Sequence, residues 1–177
     1  QTRKIDIMKV VTTKQTIFSY NVAGWGMPPD INILAEKMRW LGLQRYNIAS
    51  LIEILRFKKR KASLTFNNES KTNNYSLILC CNTIHTGKGM KIAPYAKIDD
   101  GLIDVIEVKK TTRLKLFTLF PKIFSGKHIS DPIVNFNQVK KISIEPEMNS
   151  SLIIDGEIIG NTPCEITLIP KKINILN

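Results

Sequence analysis

Along most of the chain, apolar residues come in short β-branched clusters separated by Asn, Gly, Pro or Asp, the pattern of strands joined by tight turns. Strands are expected at residues 4–11, 16–22, 62–66, 75–81, 102–108, 139–144, 151–154, 158–159, 164–169 and 173–176. So many strands at close spacing predict an antiparallel β-sandwich or barrel. Three stretches change period. Residues 31–40 place Ile31, Leu34, Ala35 and Met38 at i, i+3, i+4 and i+7, with Asp30 at the N-cap position and Gly42 as the stop. Residues 46–57 repeat the spacing through Ile48, Leu51, Ile52 and Leu55, which predicts a helical hairpin around Gly42. Residues 111–124 carry Leu114, Leu116, Phe117 and Phe120, and Pro121 should kink or shorten that helix. The fold class is mainly β with a few helices: one antiparallel β-sandwich domain over 1–177, with a helical hairpin near its N-terminus.

Composition agrees with a folded domain. A hydrophobic share of 43% and a charged share of 23% are globular values. No run approaches the ~20 apolar residues of a membrane-spanning helix. The chain starts at Gln1 without the apolar core of a signal peptide, and is expected to be a piece of something longer. Cys80 and Cys81 are adjacent, so on a strand they point to opposite faces and cannot share a metal; with Cys164 they suggest a reduced, intracellular protein.

The net charge of +11 comes from 26 Lys and Arg against 15 Asp and Glu, scattered except for the run at 58–61. With aromatics at 7% there is little for base stacking, and a nucleic-acid partner is not expected. A solvated basic surface is the simplest reading, with a face toward phosphates or anionic membrane left open.

Chemistry-bearing residues are few. His85 and His128 are the only histidines, and no G-x-S-x-G, Walker A or G-x-G-x-x-G motif follows a strand. Gly87-Lys88-Gly89 reads as a turn. Asp99-Asp100-Gly101 and Asp155-Gly156-Glu157 also read first as tight turns, although a carboxylate beside glycine also suits a place where backbone approaches a ligand or cation. Arg39 and Arg45 bracket Gly42, and two guanidiniums converging there would clamp a polyphosphate.

Taken in order, these residues become recognisable. Trp25-Gly26, Asp30, the stretch 36–42 with Arg45-Tyr46, Asn82, Thr86-Gly87, Ala93-Pro94-Tyr95-Ala96, Asp100-Gly101-Leu102-Ile103-Asp104, Gly126-Lys127-His128, Asp155-Gly156-Glu157 and Thr162-Pro163 run through nearly the whole chain. Together they resemble the C-terminal domain of the diacylglycerol kinase and sphingosine kinase family of lipid kinases. The segment 25–46 looks closest to sphingosine kinases.

The resemblance implies a β-sandwich that pairs with an N-terminal Rossmann-like domain absent from this chain, with ATP in the cleft between them. By resemblance, Arg39 and Arg45 contact ATP phosphates, and Asp155, Gly156 and Glu157 lie on the nucleotide and Mg2+ side. Asp30 holds the polar head of a sphingoid base, and Asp100 belongs to a structural Mg2+ site, with Asp155 the other metal candidate. The family's Gly-Gly-Asp-Gly loop, which carries the catalytic base, does not occur here, so no catalytic base is expected in this chain and the fragment alone should be inactive. The implied reaction is ATP-dependent phosphorylation of the primary hydroxyl of sphingosine, with diacylglycerol or ceramide as alternative substrates. The helices at 31–40 and 46–57, with 114–124, would cover the acyl chain or equally supply ordinary core. The run 58–61 would face anionic headgroups, and a cytoplasmic, peripherally membrane-associated protein is implied. A non-catalytic β-sandwich binding anionic partners is the reading from a different class.

Overall fold

The computed structural model describes residues 2–56, 58, 60–87 and 89–176. Its strands are β1 (Thr2–Thr12), β2 (Thr16–Ser19), β3 (Val22–Gly26), β4 (Arg60–Phe66), β5 (Glu69–Cys81), β6 (Ile103–Lys109), β7 (Val134–Val139), β8 (Lys141–Pro146), β9 (Ser151–Ile154), β10 (Glu157–Asn161) and β11 (Cys164–Leu176). The helices are α1 (Met27–Lys37), α2 (Arg45–Arg56), α3 (Arg113–Leu119) and α4 (Lys122–Ser125). Short 3-10 segments lie at Arg39–Gln44 and Lys127–Ser130.

All the pairings are antiparallel, in the order β10-β9-β3-β5-β4-β8-β11-β1-β2, with β6 on the free side of β5 and β7 beyond it. The long strand β5 makes the fold curl. Residues 69–75 pair with β4, and residues 77–81 pair with β3 and β6. The two halves of the sheet therefore face each other across a core that includes Met8, Trp25, Leu64, Ile78, Ile103, Ile142 and Ile166. A second apolar layer, with Leu79, Cys81, Ile106, Leu116 and Leu119, lies between the outer face of the β3–β5–β6 half and the helices. Cys80 belongs to the first layer and Cys81 to the second, on opposite faces as adjacent strand residues must be.

Several expected strands differ in extent, each for a local reason. Residues 16–22 form two strands, because the backbone N–H groups of Tyr20, Asn21 and Val22 turn to the carboxylate of Asp155. Residues 139–144 likewise divide at Lys140 between β7 and β8. Residues 164–176 form one strand bent at Lys171 (φ 53°), opposite a register shift between Ile5 and Ile7. Asp6 sits in that shift, fully buried, and accepts the N–H groups of Lys171 at 2.7 Å and Gly101 at 2.8 Å. Strand β5 begins at Glu69, extended by a hairpin whose Asn67 and Asn68 both have positive φ.

The helical hairpin is present, with shifted ends. Helix α1 starts at Met27, so Asp30 is not its N-cap and lies within the first turn instead. Gly26 takes the cap position at φ 97°, where a Cβ would meet the Ser76 carbonyl oxygen at 2.8 Å, and Pro28 favours the start of the helix. Gly42 (φ 57°) does not end α1; it bends the 3-10 segment between the two helices. In α3 the Thr112 hydroxyl accepts the Lys115 N–H, and the helix breaks at Pro121 before α4.

Helix α2 departs furthest from expectation. Its buried residues are Ala49, Ser50, Glu53 and Ile54. At 100° per residue, Ile48, Leu51, Ile52 and Leu55 lie on the opposite side, and Leu51 and Leu55 are exposed. That stripe covers neither core nor cavity. Phe57 and Lys59, from the expected helix and the basic run, lie outside the described residues, as does Lys88.

Candidate functional site

Between the helices and the outer face of the curled sheet lies a cavity of about 640 Å³. Its floor is Val22, Leu77, Leu79, Ile106 and Val108, which stand on one face of β3, β5 and β6. Helix α1 contributes Met27 and Ile31, α2 contributes Tyr46 and Ile54, and α3 contributes Leu116 and Leu119. Polar wall groups are few, and burial holds one of them, the His128 imidazole, below its ordinary pKa while it bonds the Ile92 carbonyl at 2.9 Å. Leu43 both lines the cavity and is 67% exposed, which places the mouth at the connector between α1 and α2.

At one end the cavity meets the β9–β10 turn, where Gly156 is part of the wall. Asp155 and Gly156 both have positive φ, forming a two-residue hairpin. Asp155 accepts hydrogen bonds from Ser19 Oγ at 2.7 Å and from the N–H groups of Tyr20, Asn21 and Val22 at 3.0, 3.1 and 2.9 Å. Three of these fall on Oδ1, leaving one free lone pair, on Oδ2. Asn32 of α1 donates to the Gly156 carbonyl and fixes the turn against the helix. Glu157, just beyond, is exposed.

One helical turn further along α1, on the same face as Asn32, stands Glu36. Arg39 Nε donates to Glu36 Oε2 at 2.7 Å, and Arg45 approaches Oε1 at 3.2 Å. The guanidinium of Arg45 also lies over the Tyr46 ring, 4.9 Å from its centre. The two arginines thus converge, as their positions around Gly42 suggested, and an acidic side chain occupies the point of convergence. Neither arginine lines the cavity, but Gln44 and Tyr46, on either side of Arg45, do.

Asp30 is elsewhere. Two residues from Asn32 on the helix, it faces the other side, ion-paired with Lys58 at 2.8 Å and with Arg60. Asp100 lies outside the cavity too, in the loop before β6, with Oδ1 accepting the Leu102 N–H at 3.0 Å. Its neighbour Asp104 is fully buried. One Asp104 oxygen accepts Gln138 Nε2 at 3.3 Å and the other has no partner. Burial, with the charge of Asp100 adding to it, pushes the Asp104 carboxyl up to about 6. Among the described residues no three His, Cys, Asp or Glu side chains converge as a metal-binding group.

Sequence reasoning missed Asn32, Glu36 as the partner of both arginines, Asp6 and the orphaned oxygen of Asp104. Asp104 and Glu107 inside the apolar run 102–108 were the available signal, since an acid within a buried strand is itself drawn into the interior.

Comparison with known proteins fits this geometry. The family described as the YegS C-terminal NAD kinase beta sandwich-like domain matches residues 21–177. The chain belongs to that family. It is 33% identical over 158 residues to a diacylglycerol kinase of Mycobacterium tuberculosis, covering 88% of this chain and 50% of the relative. It is 24% identical over 207 aligned positions to sphingosine kinase 1 of Arabidopsis thaliana, covering 90% and 43%. The crystal structure of a diacylglycerol kinase from Bacillus anthracis superposes with a TM-score of 0.75 at 22% identity, over 98% of this chain and 56% of that one, and shows the same fold. The chain spans about half the length of the curated relatives it matches. No helix among the described residues is long and apolar enough to cross a membrane.

Proposed function

We propose that this domain is one wall of the active site of an ATP-dependent lipid kinase, the rest being supplied by an N-terminal Rossmann-like domain. The observation that carries the reading is the apolar cavity ending at the Gly156 turn, one helical turn of α1 from the Arg39–Arg45 pair. An acyl chain buried there would present its hydroxyl toward the polar end. Arg39 and Arg45 would exchange Glu36 for ATP phosphates, a charge-for-charge replacement that leaves neither guanidinium unpaired. Transfer of the γ-phosphoryl then rests on positioning and electrostatic stabilisation, with the catalytic base supplied by the other domain.

Mg2+, when bound, would supply positive charge to offset that of the nucleotide phosphates. Asp155, with one free lone pair, suits the role of shaping the turn, and the exposed Glu157 is the better carboxylate to reach a phosphate-bound ion. A structural Mg2+ fits Asp100, because the unpartnered oxygen of Asp104 beside it is the kind of buried acceptor a cation satisfies.

The cavity also bears on the substrate. At roughly 30 Å³ for a water-sized group it holds on the order of twenty such groups. That suits one long chain, and favours a sphingoid base. The 33% identity to a protein named diacylglycerol kinase favours the second reading, a two-chain lipid with one chain outside the cavity. For Asp30 to hold an ammonium head group it would have to release Lys58 and Arg60 and reach round the helix. Full-length protein with ATP and either lipid tests the proposal: phosphate transfer to lipid supports it, and hydrolysis or transfer to a non-lipid acceptor rejects it. Membrane lipid as substrate implies peripheral contact with a bilayer.

A further inference from the structure

Arg39 and Arg45 are held differently. The Arg39 side chain is 74% exposed, and among the described residues only Glu36 bonds to it. The Arg45 side chain is 23% exposed and is met three times. Glu36 Oε1 lies at 3.2 Å, and the Tyr46 hydroxyl accepts from Nη2 at 3.1 Å. The face of the Tyr46 ring is the third contact, its centre 4.9 Å from the guanidinium carbon. Neighbouring residues of a helix stand about 100° apart and ordinarily do not touch, so this double contact has a particular cause. Arg45 and Tyr46 open α2 directly after the bend at Gly42, and helical side chains lean toward the N-terminus. Both therefore lie over the 39–44 connector, and there the guanidinium folds back on the ring.

Tyr46 is also part of the cavity wall. Among the described residues it is the one that both lines the cavity and hydrogen-bonds a guanidinium. That double position matters once Glu36 is exchanged for nucleotide phosphates. Arg39 then keeps no protein partner, whereas Arg45 keeps both the hydroxyl and the ring of Tyr46. A long arginine side chain loses rotamer freedom on binding a phosphate, and a guanidinium already held in place has less to lose.

We propose that Tyr46 is a positioning residue that couples the cavity to the nucleotide: its ring is wall, and its hydroxyl keeps Arg45 in place to receive a phosphate when Glu36 gives way. A chain packed in the cavity presses on the ring, removes its remaining freedom and so fixes the hydroxyl and the guanidinium beyond it. A filled cavity then tightens nucleotide binding, and by linkage bound nucleotide tightens lipid binding by the same factor. The inference deepens the lipid-kinase reading and rests on it for the identity of the two ligands.

The test is titration of the full-length protein with a non-hydrolysable ATP analogue, in empty detergent micelles and in micelles carrying sphingosine or diacylglycerol. Wild type binds the analogue about fivefold or more tightly when one of the lipids is present. Tyr46→Phe keeps the ring and its stacking on Arg45 but loses the hydroxyl. It binds the analogue about threefold more weakly at unchanged melting temperature, and the effect of lipid falls to within about twofold. In an Arg45→Ala background Tyr46→Phe has no further effect, because there is no guanidinium to hold. In an Arg39→Ala background it costs the same threefold as in wild type. Equal losses in all three backgrounds mark Tyr46 as merely structural and overturn the proposal. So does a wild type whose nucleotide affinity ignores both lipids, or a Tyr46→Phe protein that keeps the full lipid effect. A wild type that binds no nucleotide overturns this proposal and the kinase reading together. Coupling that follows the prediction in a protein that phosphorylates no lipid leaves the role of Tyr46 standing and removes the kinase reading alone.

Discussion

Asp155 and Val22 hold each other twice: the Asp155 N–H donates to the Val22 carbonyl at 2.9 Å, and the Val22 N–H donates to the Asp155 carboxylate at 2.9 Å. This reciprocal pair fastens the β9–β10 turn to the start of β3, and with Asn32 on Gly156 it sets the polar end of the cavity.

Asp155→Ala should therefore be a stability variant first. Three backbone N–H groups and the Ser19 hydroxyl lose a charged acceptor, at a cost of about 2–4 kcal/mol in urea unfolding. Glu157→Gln, at an exposed position, should leave unfolding within about 0.5 kcal/mol of wild type. Equal stability of Asp155→Ala and wild type would show that the clasp is not what Asp155 contributes.

The Glu36 carboxylate makes a separable prediction. If the full-length protein is the proposed kinase, Arg45→Ala and Arg39→Ala should each raise its KM for ATP about tenfold, the loss of one charge-assisted contact. Glu36→Gln frees both guanidiniums and should lower that KM or leave it unchanged. A raised KM in Glu36→Gln would mean that the pair needs Glu36 to hold it in place.

Asp104 gives a pH dependence whose sign follows from its upward shift. Its native carboxyl titrates at about 6, against an ordinary unfolded value near 4, so the native state binds the extra proton between those limits. Stability is fully present below about pH 4 and is lost as pH rises through 6, on the order of 2 kcal/mol at pH 7. In metal-free buffer Asp104→Asn should melt higher than wild type at pH 7, with the advantage gone at pH 4. If Mg2+ binds at Asp100, adding it at pH 7 should raise the wild-type melting temperature and leave Asp104→Asn unmoved.

The cavity predicts chain-length selectivity. Leu79 and Leu119 line it and are buried. Leu119→Phe should shorten the preferred acyl chain and raise the KM for an 18-carbon substrate about tenfold, at roughly 0.8 kcal/mol per excluded methylene, with the KM for ATP unchanged. A uniform loss across chain lengths would instead indicate general damage to the layer.

Part of this was legible from residue pattern. The strand at 4–11, the break at Pro121 and the Asp155–Gly156 turn each follow from one local rule that tertiary structure did not override. Strand β3 was not legible, because Val22-Ala23-Gly24-Trp25-Gly26 is buried on both faces and has no alternation to read. Strand β7 was obscured by Asn135 and Asn137, which spoil an apolar run but satisfy the buried Glu107. Asn32 looked like an ordinary polar helix position, since nothing local shows that a carbonyl from residue 156 will meet it. The pattern of α2 was read correctly as amphipathic. Its direction was not legible, because the stripe at i, i+3, i+4 and i+7 does not itself say which side of the helix the sheet will cover, and here Ala49, Ser50, Glu53 and Ile54 are the buried residues.

The most direct test of the whole account is phosphate transfer from labelled ATP by the full-length protein, with sphingosine and diacylglycerol of matched chain length presented separately. The account predicts labelled lipid in both a wild-type and an Asp30→Asn preparation, with the single-chain substrate preferred and the label lost in Arg39→Ala with Arg45→Ala. No label in any lipid, from protein that binds ATP and is folded, would contradict it.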